Sequence, residues 1–243
     1  MIKFFRRIRQ KLLSENKFSK YFVYAIGEIV LVVIGILIAL QINNWNQERL
    51  NSVEEQNYYK NIKRQLSEDR RGIESSMSYN NSFLEQYGYA VGVIEANDRS
   101  AVDSLSKITL NLTKSSDFHR QSNIYQSMVN SGQIKLLKNQ QIIERLQHLE
   151  ETYIYANKLE ETHSEAIMTF AIPIIVSSLK VSNMTVEKVE NLYTYQFQNL
   201  FTMFSGLMLE KNDIYQRALD RIAILNELID EELGIENQEV NGN

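Results

Sequence analysis

The chain has 243 residues, a formal net charge of −4, 44% hydrophobic residues and no cysteine. Without cysteine there is no disulfide framework, no thiolate metal site and no lipoprotein attachment point, so stability must come from packing. The charge is divided: residues 1–20 carry a net +6 and the rest a net −10, a short basic end set against an acidic body.

Residues 2–13 place Ile2, Phe5, Ile8 and Leu12 at helical spacing, with Arg6, Arg7, Arg9 and Lys11 crowding the remaining face. A short basic amphipathic helix of this kind lies on a membrane surface and holds anionic lipid headgroups. No aromatic or glycine-rich recognition pattern accompanies it, so nucleic acid is not expected as a partner. Ser14-Glu15-Asn16 breaks the pattern, and Ser19 is placed to cap the next helix.

Residues 22–42, FVYAIGEIVLVVIGILIALQI, contain a single ionisable group, Glu28. At the rise of an α-helix, 21 residues reach about 31 Å, enough to cross the hydrocarbon core of a bilayer. Seven Lys or Arg precede this run, against Arg49 and Lys60 in the first 20 residues after it. That asymmetry orients the N-terminus to the cytoplasm and the larger part to the periplasm of a bacterial inner membrane. A signal peptide would need a shorter apolar region and an A-x-A site, and Ala39-Leu40-Gln41 is a poor substitute, so the helix is expected to remain as an anchor.

Within the run, Ala25, Glu28, Val32, Gly35 and Ala39 recur at alternating steps of three and four. Small residues allow close helix approach in lipid, so this stripe is expected to be a contact face for a second copy or another membrane protein. Three roles stay open for Glu28. It fixes an oligomer as a neutral or hydrogen-bonded group, it pairs with Lys20 or a headgroup at the interface, or it binds a proton or cation beside a partner subunit. Trp45 follows as an anchor at the outer interface.

No Pro or Gly interrupts residues 43–71, so the helix is expected to continue. Tyr59, Ile62, Leu66, Ile73, Met77, Leu84, Tyr87, Val91 and Ile94 then repeat at near-heptad spacing, as in a bundle or a coiled-coil stalk. A turn at 97–100, a helix through Leu105 and Leu112, a polar loop over 115–122 and a helix closed by Asn130-Ser131-Gly132 follow. A long helix begins after Lys138-Asn139 with Ile142, Leu146, Leu149, Tyr153, Ala156, His163, Ile167, Phe170 and Ile174 on one stripe. The apolar run 166–179 is short for a crossing and contains the sole proline, Pro173, so a kinked core helix is expected there. Residues 185–209 are the most aromatic, and Asn212 or Asp213 should cap a separate final helix ended by Gly234.

The reading is therefore all-α. It comprises a cytoplasmic basic segment (1–20), a transmembrane helix (21–42), a periplasmic helical domain (43–235) and a disordered tail (236–243). The stretch MIKFFRRIRQKLLSENKFSKYFVYAIGEIVLVVIGILIALQINNWNQE resembles the N-terminus of a family of uncharacterised membrane proteins from Bacteroidota, the domain-of-unknown-function family numbered 6090. IYQSMVNSGQIKLLKN, residues 124–139, is similar to a second segment of that family. The resemblance implies an inner-membrane location and a helical extracytoplasmic domain, and no activity.

Catalytic patterns are missing. His119, His148 and His163 are scattered, nine glycines leave little room for a phosphate-binding loop, and no G-x-S-x-G occurs. His163 with Glu161 and Glu165 could contribute to a metal site, but its place on an apolar stripe favours a hydrogen-bonded core histidine. Glu150/Glu151 and Glu160/Glu161 are neighbours on a helix and read as solvated faces. No cofactor and no enzymatic activity are expected. The role inferred is scaffolding, assembly or sensing through a partner. The alternative is a subunit of an ion-driven or channel-like complex that uses Glu28. A periplasmic ligand-binding bundle would require a polar cavity between the helices of residues 139–209.

Overall fold

The computed structural model describes residues 18–118, 120, 123–180, 185–186 and 188–235. The basic segment with Arg6, Arg7, Arg9 and Lys11, the tail 236–243, and His119 lie outside the described residues. A single helix, α1, runs Phe18–Glu95 over 78 residues, so Ser19 lies inside the helix and does not cap it. The chain divides into two compact units, 1–55 and 56–243.

In the first unit the apolar run is helical throughout, and none of its most apolar 18-residue window is buried. Phe22, Ile29, Leu31 and Ile42 are each more than 60% exposed, as is Trp45. Among the described residues this is the one helix long and apolar enough to cross a membrane.

In the second unit the heptad-like residues of α1 face inward. Tyr59, Ile62, Leu66, Ile73, Tyr87 and Ile94 are buried, and Met77, Leu84 and Val91 half-buried. Past Asn97, which takes positive φ, the Asp98 carboxylate caps a 3-10 turn by accepting from the Ser100 N–H. Helix α2 (Val102–Asn111) follows; residues 114–118 and Arg120, which carry no helix or strand, form a strap ahead of Asn123. Asn123 caps α3 (Ile124–Ser131), and Gly132 closes it at φ 72°, the left-handed conformation that glycine adopts without penalty. Asn139 caps α4 (Gln140–Ala166) by accepting from the N–H groups of Gln141 and Ile142.

Pro173 was expected to kink a core helix, and the structure places a π segment ahead of it. The proline cannot donate to the preceding turn, and this π-helical segment, Ile167–Ala171, precedes α5 (Ile172–Ser178). The wider turn shifts the buried stripe by one residue. Ile167, Ala171 and Ile175 are buried, whereas Phe170 is 51% exposed and Ile174 half-buried, which corrects the straight 3.6-residue extrapolation. A small antiparallel pair, β1 (Leu179–Lys180) with β2 (Thr185–Val186), and a one-turn helix, α6 (Val189–Leu192), lead into α7 (Tyr195–Leu233).

The expected break at Asn212 or Asp213 is not made: α7 is continuous over 39 residues. A capping side chain must turn back onto its own backbone. Asn212 is instead bonded to α1, accepting from Asn80 Nδ2 and donating to Asn81 Oδ1, each at 2.8 Å. Gly234, with φ 66°, does end the helix as expected.

The helices α1, α4 and α7 enclose two apolar clusters in sequence along their lengths. One holds Tyr59–Ile73 of α1, Ile142–Leu159 of α4 and Ile214–Ile229 of α7. The other holds Phe83–Ile94 of α1, Ala166 at the end of α4, Ile167–Ile175 of the π segment and α5, and Phe197–Met208 of α7. Every helix changes character between them. The buried residues there are Ser76 and Asn80 of α1, Glu160 and His163 of α4, and Lys211 of α7. A polar layer crosses the core.

Candidate functional site

Burying a lysine, a glutamate and a histidine in one layer is costly unless each finds partners. The strap after α2 supplies most of them. Lys211 Nζ, fully buried, donates to the Ser116 carbonyl at 3.1 Å and to Ser116 Oγ at 2.8 Å. Glu160 Oε1 accepts from the Phe118 N–H at 2.9 Å and from the Tyr215 hydroxyl. The Phe118 ring then enters the first apolar cluster and packs against Tyr153, centroids 5.4 Å apart. Gly72 makes room for it: a Cβ at this position would sit 3.0 Å from the ring.

Further along, Arg120 pairs with Glu150 through both terminal guanidinium nitrogens, Nη1 and Nη2, and lies 4.5 Å over the Tyr153 ring. Asn123 also donates to Glu150, and the Ile124 N–H donates to Gln65 Oε1. Tyr153 donates to Asp69, which Gln65 also meets. The strap is thus tied to the bundle through side chains that are charged or amide-bearing, at positions where an apolar stripe would have been simpler.

Environment sets the charge states. Burial pushes the Asp69 carboxyl up to about 6, with the Tyr153 and Gln65 hydrogen bonds and the charge of Arg120 opposing it. Burial also raises Glu160, against the hydrogen bonds from Tyr215 and Phe118. Lys211 is lowered to about 8 by burial, with Glu160 and Asp117 opposing. His163 falls to about 4, from burial and then from the charge of Lys211.

His163 is fully buried and edge-on to Phe204 at 5.0 Å, yet neither ring nitrogen has a hydrogen-bond partner among the described residues. The core placement is as expected; the hydrogen bond is not. His163 is therefore a neutral imidazole held by packing. Unfolded histidine binds a proton below about 6.5, while the folded protein resists protonation down to about 4. Stability through this residue is thus present above 6.5 and lost as pH falls through that window. Asp69 works in the opposite sense, since its folded form takes a proton first. In chemical denaturation, His163→Leu should gain on the parent protein by about 3 kcal/mol between pH 6.5 and 4. A constant difference across that range would show that the imidazole does not titrate there.

A cleft of about 650 Å³ opens beside this layer, lined by Ser115–Phe118, Arg120 and Asn123 of the strap and by Asn157, Glu160, Glu161 and Ser164 of α4. A smaller hollow of about 240 Å³ lies across the strap, between Ser115–Asp117 and Ser75, Ser76 and Tyr79 of α1. This cleft lies between the strap and α4, and is not the cavity between the helices of residues 139–209 that a ligand-binding bundle was expected to require. No group of three or more His, Cys, Asp or Glu positioned to hold a metal occurs among the described residues.

The residues singled out in the sequence fall elsewhere. Ala25, Glu28, Val32, Gly35 and Ala39 all lie on α1 in the first unit. Val32, Gly35 and Ala39 are exposed, and Ala25 and Glu28 half-exposed. A Cβ at Gly35 would meet nothing within 4 Å, so its lack of a side chain serves no contact among the described residues. His148 is exposed and meets Glu151 at 3.1 Å. The two carboxylate pairs need correction: Glu151 and Glu161 are exposed as expected, but Glu150 and Glu160 turn inward and anchor the strap. Neighbours on a helix point about 100° apart, so one of each pair faces the core. Lys211, Ser116 and Asp69 were missed. The available signal was a lysine and an aspartate standing on the buried stripes of α7 and α1.

No curated protein and no solved structure matches the chain. A family model described as a family of unknown function, DUF6090, matches residues 28–162, more than half of the sequence. The match takes in most of the apolar run, all of the strap, and α4 as far as Glu160 and Glu161. The chain belongs to that family.

Proposed function

We propose that this is a single-pass inner-membrane protein whose periplasmic helical domain acts by recognition, as a scaffold or as a sensor working through a partner, and not by catalysis. The observation that carries the reading is the apolar sheath of α1. Residues 22–42 keep their Ile, Leu and Val side chains exposed over a length that matches a bilayer. Such a surface requires lipid or other spans as its neighbour, and the basic segment before it favours a cytoplasmic N-terminus. A recognition role fits a domain whose inward-facing charged side chains, Lys211, Glu160 and Glu150, hold its own strap.

The reading further assigns self-association to the Ala25, Glu28, Val32, Gly35 and Ala39 face. The test is the mass of the nanodisc-embedded particle for the parent chain and for Glu28→Gln. A defined homo-oligomer in both is expected if packing of the small residues dominates. Loss of assembly in Glu28→Gln alone would make the carboxylate the organising group. A monomeric parent would remove self-association and direct attention to a different membrane partner.

A further inference from the structure

The cleft beside the strap has a definite chemical bias. Its walls carry three carboxylates, Asp117, Glu160 and Glu161, and one guanidinium, Arg120. Arg120 is already committed, bidentate to Glu150 and stacked on Tyr153. Lys211, behind the strap, is fully buried and spends its ammonium on Ser116. An anion would meet three negative groups and no available cation among the described residues.

Glu160 distinguishes this cleft from a merely acidic surface. Its side chain is more than nine-tenths buried, and Oε1 is clamped by the Phe118 N–H and the Tyr215 hydroxyl. Oε2 meets no donor among the described residues. The carboxylate is therefore fixed in orientation at the cleft wall, with one oxygen left as an acceptor. Burial disfavours its charge, and a cationic ligand would supply the counter-charge that the strap withholds.

We propose that this cleft binds a small organic cation bearing a primary ammonium group, with Glu160 Oε2 as the fixed acceptor in the cleft wall and Asp117 and Glu161 as acceptors at the rim. An ammonium offers three donors and no acceptor, which suits a wall of carboxylates, the Ser115 and Ser164 hydroxyls and the Asn157 amide. A bare metal ion fits less well, because the described carboxylates do not converge as a ligand set. The volume lies within the range of small-molecule sites. The proposal rests on the recognition reading above and gives the sensor form of it an input.

The test is calorimetric titration of the full chain, in nanodiscs of zwitterionic lipid, with spermidine and with ethanolamine, empty nanodiscs serving as the blank. The variant is Asp117→Asn/Glu161→Gln, both exposed positions whose substitution leaves the strap anchors in place. Saturable binding of either amine, one per chain and weakened at least about tenfold in the variant, is expected. Glu160→Gln, which keeps an oxygen for Phe118 and Tyr215, should weaken it as well. Absence of saturable binding for both amines would overturn the proposal. So would equal affinity in parent and variant, or displacement by magnesium at the same charge concentration, which would mark diffuse attraction. Failure here leaves the particle mass as it was, and a monomeric particle that still bound the amine would keep the site while removing the scaffold.

Discussion

Phe118→Ala should lower the stability of the helical domain by about 3–5 kcal/mol, measured by chemical denaturation of the detergent-solubilised protein under far-ultraviolet circular dichroism. Among the described strap residues, the ring is the large apolar group contributed to the first cluster. Its neighbours cannot collapse into the vacancy, because α1 and α4 are each held by long apolar stripes on either side. Removing the ring also frees the segment that carries Ser116 and the Phe118 N–H, so the loss should extend to the polar layer.

The complementary change is Gly72→Ala. Its new methyl would stand 3.0 and 3.1 Å from two ring carbons of Phe118, and the ring is backed by Tyr153. A gain of up to about 1 kcal/mol in helix propensity should be outweighed by crowding of roughly 1–3 kcal/mol. In the double variant the crowding disappears, so the two changes should be strongly non-additive. Additive effects would mean that the ring does not occupy the space above Gly72.

The second large effect is expected at Glu160. Alanine there leaves the Tyr215 hydroxyl and the Phe118 N–H without their acceptor and removes the larger of the two negative charges, Glu160 and Asp117, that oppose burial at Lys211. Breaking a buried polar group's pairing in this way costs about 3–5 kcal/mol, because the partners stay desolvated. Glutamine keeps an acceptor oxygen and removes a desolvated charge, so Glu160→Gln should retain most of the stability. Lys211 should then titrate lower still, since the Glu160 charge, ahead of Asp117, is what opposes burial there. Equal losses in the alanine and glutamine variants would show that charge, and not the hydrogen bonds, is what this position supplies.

The helices themselves were legible from periodicity. The buried stripes of α1, α4 and α7 coincide with the apolar residues at three- and four-residue spacing, because side chains on one helical face have no other way to leave water. Turn chemistry was equally readable at Gly132 and Gly234, where positive φ selects glycine. The face-shift after Ala166 was not. Proline announces a disturbed turn, but whether the backbone kinks or widens into a π segment depends on how the following residues pack.

The continuity of α7 through Lys211-Asn212-Asp213 was likewise hidden. Asparagine and aspartate favour caps when their side chains have only local backbone to bond, and Asn212 has Asn80 and Asn81 instead. For the same reason the candidate site escaped the linear reading. Ser116 and Lys211, Phe118 and Glu160, Asp69 and Tyr153 are pairs separated by 95, 42 and 84 positions. A polar residue on an apolar stripe signals only that something must pay for its burial.

By itself, then, the sequence determined what depends on local composition: a helical chain, one run apolar enough to cross a bilayer, a basic end beside it, and the inward faces of the long helices. Hydrophobic period and charge asymmetry are properties of neighbouring residues and need no fold to be expressed. The tertiary structure alone decided that two apolar clusters are separated by a polar layer, that a loop supplies its hydrogen bonds, and that a cleft with a fixed carboxylate opens beside it. Those features arise where distant segments meet, and desolvation becomes a force on a charge only once the surrounding chain has removed the water.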